Sequence, residues 1–214
     1  MNFLLRSLGR KDYLEVWSAM RAFTRARTPE TPDELWLTEH PPIFTLGQDG
    51  REEDLLRDIG VPLVRSDRGG QITYHGPGQL VAYLLFDLRR RRLKAGEMVR
   101  AMEEAVLDFL RGHGLSANRR AGAPGVYMGE TGSGAKIAAL GLRVTNGASY
   151  HGLSLNVAMD LSPFAAIHPC GYPGLAVTQL ADEGVTITLE EAGAALCRSL
   201  AQYFPAPDET GISR

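Results

Sequence analysis

The 214-residue chain has only two cysteines, Cys170 and Cys197. That is too few for a disulfide framework in a chain of this length. Charge of one dominant sign is also missing. The 23 Lys and Arg stand against 25 Asp and Glu, so the basic balance of a dedicated nucleic-acid binder is absent and no nucleic-acid partner is expected. No apolar run approaches the roughly 20 residues that span a bilayer. The opening MNFLLRSLGRKDY has neither an apolar h-region nor a small-residue cleavage site. We therefore expect no membrane partner and a cytoplasmic location. Neither HExxH nor CxxC spacing occurs, which argues against a metal site. No Gly-Lys-Ser/Thr follows the glycine-rich segment, and no Gly-x-Gly-x-x-Gly precedes a helix, so a phosphate loop is not supported. Repeats, low-complexity tracts and linkers are lacking as well. The expectation is one domain over 1–214, with a polar tail, PAPDETGISR, that frays from about residue 205.

What is present reads as α+β. Residues 11–27 space Leu14, Trp17, Met20 with Val16 and Phe23 as one apolar helix face, and residues 96–111 repeat the pattern with Val99, Met102, Val106, Phe109 and Leu110. A third helix is expected from Thr188, where Thr-Leu-Glu-Glu fits a capping box with Glu191, facing inward through Leu189, Leu196, Leu200 and Phe204. Cys197 falls on that spacing as a core residue. Strand patterns lie at 34–38, 43–46, 63–65, 71–74, 80–87, 125–128, 135–145 and 150–157. Runs of strands set apart from helices indicate α+β, not alternating βαβ units. Asn146-Gly147 marks a tight hairpin, because both turn positions accept positive φ, and it places Lys136 and Gly152 on paired antiparallel strands.

Cys170, in AIHPCGYPG, is then the one candidate nucleophilic thiol, and Lys136 sits in GAKIAALGLRV. Taken singly, the two residues also fit a small buried apolar side chain and an exposed strand-edge charge. The densest segment is Arg65 to Leu88, whose Gly69, Gly70, Gly76 and Gly78 permit turns and close approach of a ligand. His75, His151 and His168 are rival general bases. His168 and Cys170 are two residues apart and so on opposite faces of an extended chain, which disfavours a direct pair and suits His168 to stabilising a turn; His75 fits a pocket wall. The run Arg89 to Arg92 reads as a solvated turn, or as a docking patch for an acidic carrier protein.

EHPPIFTLGQ at 39–48, RGGQITYHGPGQ at 68–79, GAPGVY at 122–127, GAKIAALGLRV at 134–144, HGLSLNV at 151–157 and HPCG at 168–171 together resemble the octanoyl-carrier-protein:protein octanoyltransferases of lipoate biosynthesis. The resemblance runs in order over most of the chain. It implies the fold of the biotin and lipoate protein ligase catalytic domain, a mixed, largely antiparallel sheet flanked by helices. It implies that Cys170 takes the octanoyl group as a thioester and that Lys136 tunes the cysteine. It also implies substrate binding by Arg68, Gly69, Gly70, Gln71, Ile72, Thr73, Tyr74 and His75, by Ala139, Leu140 and Gly141, and by Gly152, Leu153 and Ser154. Ser154 stands where alanine is also familiar. The donor implied is octanoyl-acyl carrier protein. The acceptors implied are lipoyl domains of 2-oxoacid dehydrogenase complexes and the glycine cleavage H protein. Neither ATP nor any cofactor is called for. The alternatives are an ATP-dependent lipoate or biotin protein ligase, which needs no nucleophilic cysteine, and a non-catalytic acyl-binding protein.

The chemistry suits these residue types. A thiol of pKa about 8.5 is only roughly 3% thiolate at pH 7, and an ammonium partner raises that fraction. Making a lysine of pKa about 10.4 neutral at pH 7 costs about 4.6 kcal/mol, so a cationic Lys136 is the cheaper role unless burial beside Ile137, Ala138 and Leu140 lowers that cost. An apolar slot burying about six methylenes gains roughly 5 kcal/mol. The small residues around Gly141 and Gly152 are expected to leave room for that chain, and backbone N–H groups near Leu153 or Cys170 to polarise the thioester carbonyl.

Overall fold

A computed structural model describes residues 2–206, with Cys170 described by its backbone alone. Of the expected frayed tail, residues 207–214 lie outside the described residues. The strands are β1 Leu4–Arg10, β2 Glu34–Glu39, β3 Ile43–Leu46, β4 Leu63–Arg65, β5 Ile72–His75, β6 Gln79–Leu85, β7 Ala117–Arg120, β8 Ala123–Met128, β9 Lys136–Thr145 and β10 Ala148–Asn156. The helices are α1 Tyr13–Arg25, α2 Ala95–Gly112 and α3 Leu189–Tyr203. Seven strands form one sheet in the order β1-β2-β6-β10-β9-β8-β7, and β4-β3-β5 form a smaller one. Only β1–β2 and β3–β4 pair in parallel among these ladders. The expected α+β architecture, a mixed and largely antiparallel sheet flanked by helices, is therefore what the chain adopts.

Alternation along β6 divides the core. Leu80, Ala82 and Leu84 join the layer with Met98, Met102 and Val106 of α2 and Leu196 and Leu200 of α3. Val81, Tyr83 and Leu85 face the opposite way, against Val16 and Met20 of α1. Each fully buried Leu or Met in these layers is stabilising by about 1.5–3 kcal/mol. Asp12 caps α1 by accepting from the Leu14 and Glu15 amides. Of the expected face, Val16 and Met20 are buried and Trp17 and Phe23 pack beside them, whereas Leu14 is 48% exposed and Tyr13 takes its place in the core. The stripe Tyr13-Val16-Met20-Thr24 follows i, i+3, i+7, i+11, which leaves Leu14 on the far side. The capping box at α3 forms as expected, with the Glu191 amide donating to Thr188 Oγ1 at 3.2 Å and the Thr188 amide to Glu191 Oε2 at 2.9 Å. Cys197 is buried in that layer, and burial raises its thiol pKa.

Asn146 and Gly147 take φ of 50° and 75° and join β9 to β10 through a two-residue turn. The hairpin pairs Gly152 with Gly141; Lys136 lies past the last β10 pair, Leu155 with Ala138, and pairs instead with Tyr127 of β8. Sequence patterning does not reveal β1 or β7, because both are edge strands with no buried alternation. The Arg89–Arg92 run is not simply a solvated turn. Arg90 and Arg91 reach the buried Asp33 carboxylate together with Arg27, and Arg91 also donates to the Asn2, Phe204 and Pro205 carbonyls. Arg89 and Arg92 alone of the four are exposed.

Candidate active site

A cavity of about 670 Å³ is walled by β6, β9 and β10, the 68–75 segment, the 122–124 turn and the start of α2. Thirteen of the fourteen expected substrate-binding residues line it: Arg68, Gly69, Gly70, Gln71, Ile72, Thr73, His75, Ala139, Leu140, Gly141, Gly152, Leu153 and Ser154. Tyr74 does not. Strand alternation turns it to the opposite face of β5, where its ring packs on Phe44 and Phe164.

The two central glycines do not leave space for an acyl chain in the way expected. A Cβ at Gly141 would lie 2.8 Å from the Gly69 carbonyl oxygen, and one at Gly152 would lie 2.1 Å from the Ala82 oxygen. Their smallness lets backbone approach backbone. It seats the 68–70 turn on β9, where the Gly69 amide donates to the Leu142 oxygen at 2.8 Å. Leu153 pairs on both sides, with Ala82 and Leu140, so its N–H belongs to the ladder and is not free to polarise a carbonyl.

Lys136 is only 3% exposed, which overturns the reading of an exposed strand-edge charge. Its Nζ donates to the Pro124 carbonyl at 3.1 Å and sits 4.9 Å from the centre of the Tyr127 ring. The main chain around Cys170 converges on it. Pro169–Gly171 form a 3-10 turn, entered through the His168 amide donating to the Asp54 oxygen and closed by the Gly171 amide donating to the His168 oxygen, both 2.8 Å. His168 thus stabilises the turn through its backbone. Gly171 has φ 69°, and the Gln71 amide group fills the space a Cβ would need. Beyond the turn, the Lys136 amide donates to the Ala176 oxygen at 2.9 Å and the Thr178 amide to the Lys136 oxygen at 3.0 Å. The peptide groups of Lys136 are therefore bonded to the segment that follows Cys170. Pro169 and Lys136 also share a narrow crevice with Thr73 and Ser154.

Arg68 is buried and ties its own loop to β3, donating to the Thr45 oxygen at 2.6 Å, the Gln71 oxygen at 2.7 Å and the Gly69 oxygen at 3.0 Å. His75 is neutral: burial, with the neighbouring His40, pushes it down to about 3. Its Nδ1 donates to Gln79 Oε1 at 2.7 Å, and Gln79 Nε2 donates to Asn156 Oδ1 at 2.9 Å. A poor proton acceptor at pH 7, His75 forms a polar wall, as expected of it.

Sequence reasoning missed Asp67. Its carboxylate accepts from Trp17 Nε1 at 2.8 Å, His151 Nε2 at 2.9 Å and Tyr150 Oη at 2.5 Å. Burial raises its pKa, but those bonds, led by His151, outweigh it and hold the group well below the usual carboxylate range. His151 takes a φ of 62°, which departs from strand geometry and swings its ring to Asp67. The residues that meet at Asp67 lie up to 84 positions from it, so only its place in SDRGG hinted at them. Among the described residues no cluster of three or more His, Cys, Asp or Glu is placed to hold a metal ion. No described helix is long and apolar enough to cross a membrane.

This arrangement is that of the lipoate and biotin protein ligase fold. The chain superimposes on a bipartite lipoate protein ligase from Thermoplasma acidophilum with a TM-score of 0.76, at 21% identity over 95% of this chain and 84% of that one. On a biotin protein ligase from Aquifex aeolicus the TM-score is 0.59, at 11% identity over 94% and 70%. The family model for the lipoyl protein ligase A/B catalytic domain matches residues 12–201. An octanoyltransferase of Dechloromonas aromatica is 59% identical over 94% of this chain and 96% of its own length, and one of Chromobacterium violaceum is 53% identical over 97% and 98%. The chain belongs to the octanoyltransferase family, and is an acyltransferase enzyme within the lipoyl protein ligase A/B class.

Proposed function

We propose that one catalytic domain moves an octanoyl group from octanoyl-acyl carrier protein to a lysine of a lipoyl domain through a thioester on Cys170, in the cytoplasm and as the first step of endogenous protein lipoylation. The acceptors are the lipoyl domains of 2-oxoacid dehydrogenase complexes and the glycine cleavage H protein. The observation that carries this reading is the buried side chain of Lys136, on a residue whose own peptide groups bond to the segment following Cys170. A cation there favours the thiolate. The thiolate attacks the donor carbonyl, the carrier leaves as a thiolate that takes a proton from solvent, and the acyl group is left as an enzyme thioester. The acceptor amine then attacks that thioester, loses a proton, and releases the Cys170 thiolate as the amide forms. The apolar chain lies along Val99, Leu140 and Leu153 of the cavity wall, which share the α2 face of the sheet. The remaining lining residues, Arg68 to Thr73, His75, Ala139, Gly141, Gly152 and Ser154, bind the acyl thioester.

Intact mass spectrometry after mixing with octanoyl-carrier protein tests the proposal. One added octanoyl group, released by hydroxylamine and absent in Cys170→Ala, is expected. Transfer to a lipoyl domain by Cys170→Ala, or transfer without labelling, overturns it.

A further inference from the structure

The Pro124–Gly125 peptide group is held from both ends. Its carbonyl accepts from Lys136 Nζ at 3.1 Å, and its N–H donates to Oε1 of Glu103 on α2 at 3.0 Å. Glu103 is only 8% exposed, a rare setting for a carboxylate. The Glu103 carboxyl group, whose pKa burial raises, the peptide dipole and Lys136 Nζ thus lie in series. A carboxylate on the N–H end polarises the amide and makes its oxygen a stronger acceptor for the ammonium. Glu103 is not among the residues that line the cavity, and this peptide joins it to the Lys136 side. We propose that Glu103 is a positioning residue for transfer: acting across the Pro124–Gly125 peptide, it fixes the Lys136 ammonium and favours its charged form. The proposal rests on the Cys170–Lys136 reading above and adds a residue outside the cavity lining.

Among the described residues, charged and titratable groups flank this line, and Tyr172 shares the cavity wall with Pro124 and Lys136. Glu104 and Arg100 lie beside Glu103 on α2, and Arg119 of β7 pairs with Glu104 at 3.2 Å. On the Lys136 side, Tyr127 presents its ring, and the Arg120 guanidinium stacks 4.1 Å from that ring's centre. Glu103→Gln keeps an oxygen for the Gly125 amide and removes the charge, which isolates the effect. Glu104→Gln makes the same change of charge one residue away without touching the peptide.

The experiment is single-turnover formation of octanoyl-enzyme from a small octanoyl thioester across pH 6 to 10, run on wild type, Glu103→Gln, Glu103→Asp and Glu104→Gln. Glu103→Gln is expected to slow the step about fivefold to tenfold, leave KM within twofold, and move the alkaline limb to lower pH by about half a unit, because the ammonium has lost a negative neighbour. Glu103→Asp retains the charge, so its limb stays at the wild-type position even if its rate falls. A wild-type rate and profile in Glu103→Gln, an equal shift in Glu104→Gln, or the same shift in Glu103→Asp overturns the proposal. Failure of the underlying reading is distinct, since Cys170→Ala would then still transfer.

Discussion

Gly125 stands against Lys136 so closely that a Cβ at position 125 would lie 2.9 Å from its Cε and 3.1 Å from its Nζ. The backbone φ of 138° at Gly125 is itself one that side chains rarely adopt, and the same Cβ would sit 2.8 Å from the Ala138 oxygen. Gly125→Ala should therefore lower stability by about 1–3 kcal/mol through strain and overpacking, and displace the ammonium. We expect the acylation rate to fall at least about tenfold while thioester KM changes little. A thermal melt alongside single-turnover kinetics checks this; a wild-type rate in a strained but folded variant would refute it.

Asp67→Asn puts an amide where three donors converge, from Trp17, Tyr150 and His151. The amide nitrogen must then face a donor, at a cost of about 1–3 kcal/mol. The wild-type carboxylate is held below its usual range, so its contribution is present above the unfolded pKa of about 3.9 and fades as pH falls through the folded value. Chemical denaturation should show the gap between wild type and Asp67→Asn shrinking below about pH 4. A constant gap down to pH 2.5 would contradict this.

Buried neutral histidines make acid destabilising earlier. Burial lowers His40, His75 and His151, the second to about 3. The unfolded chain binds protons at about pH 6.5 that the folded chain refuses, so stability falls on acidification between about pH 6.5 and 3, by about 1.4 kcal/mol per pH unit from His75 alone. Urea midpoints at pH 7, 6 and 5 should decline in that order. His75→Gln should flatten the slope, and an unchanged slope would show that His75 is not its source.

Asp33 gathers Arg27, Arg90 and Arg91 and also accepts from the Asp87 amide. Removing the carboxylate strands three cations, two of them with nearly buried side chains. Asp33→Ala or Arg91→Glu should cost about 3–5 kcal/mol, or roughly 6–20 °C in Tm for a chain of this size. Arg89→Glu with Arg92→Glu should leave Tm within about 2 °C, and is the pair with which to measure KM for carrier protein. A stable Arg91→Glu would refute the structural role assigned here.

The elements were legible wherever a local signal was strong. Asn146-Gly147 gave its hairpin, Thr188 and Glu191 their capping box, and the amphipathic period of 96–111 its helix, because each depends on residues a few positions apart. On α1 only Leu14 departs from the expected face, since Tyr13 and Leu14 are both apolar enough for the core and only the packed sheet chooses between them. The edge strands β1 and β7 carry no inward face to read.

By itself the sequence determined the α+β class, the octanoyltransferase family, and which cysteine and lysine to watch, since these follow from residue type and motif order. Tertiary structure decided how deeply Lys136 is buried, which peptide its ammonium grips, that Gly141 and Gly152 serve backbone contact, and that Arg90 and Arg91 brace Asp33. It also joined Asp67 to His151 and Glu103 to the Gly125 amide. These relations connect residues 22 to 84 positions apart. No local pattern encodes them, because burial and hydrogen-bond geometry are fixed only when the sheet, helices and loops close on one another.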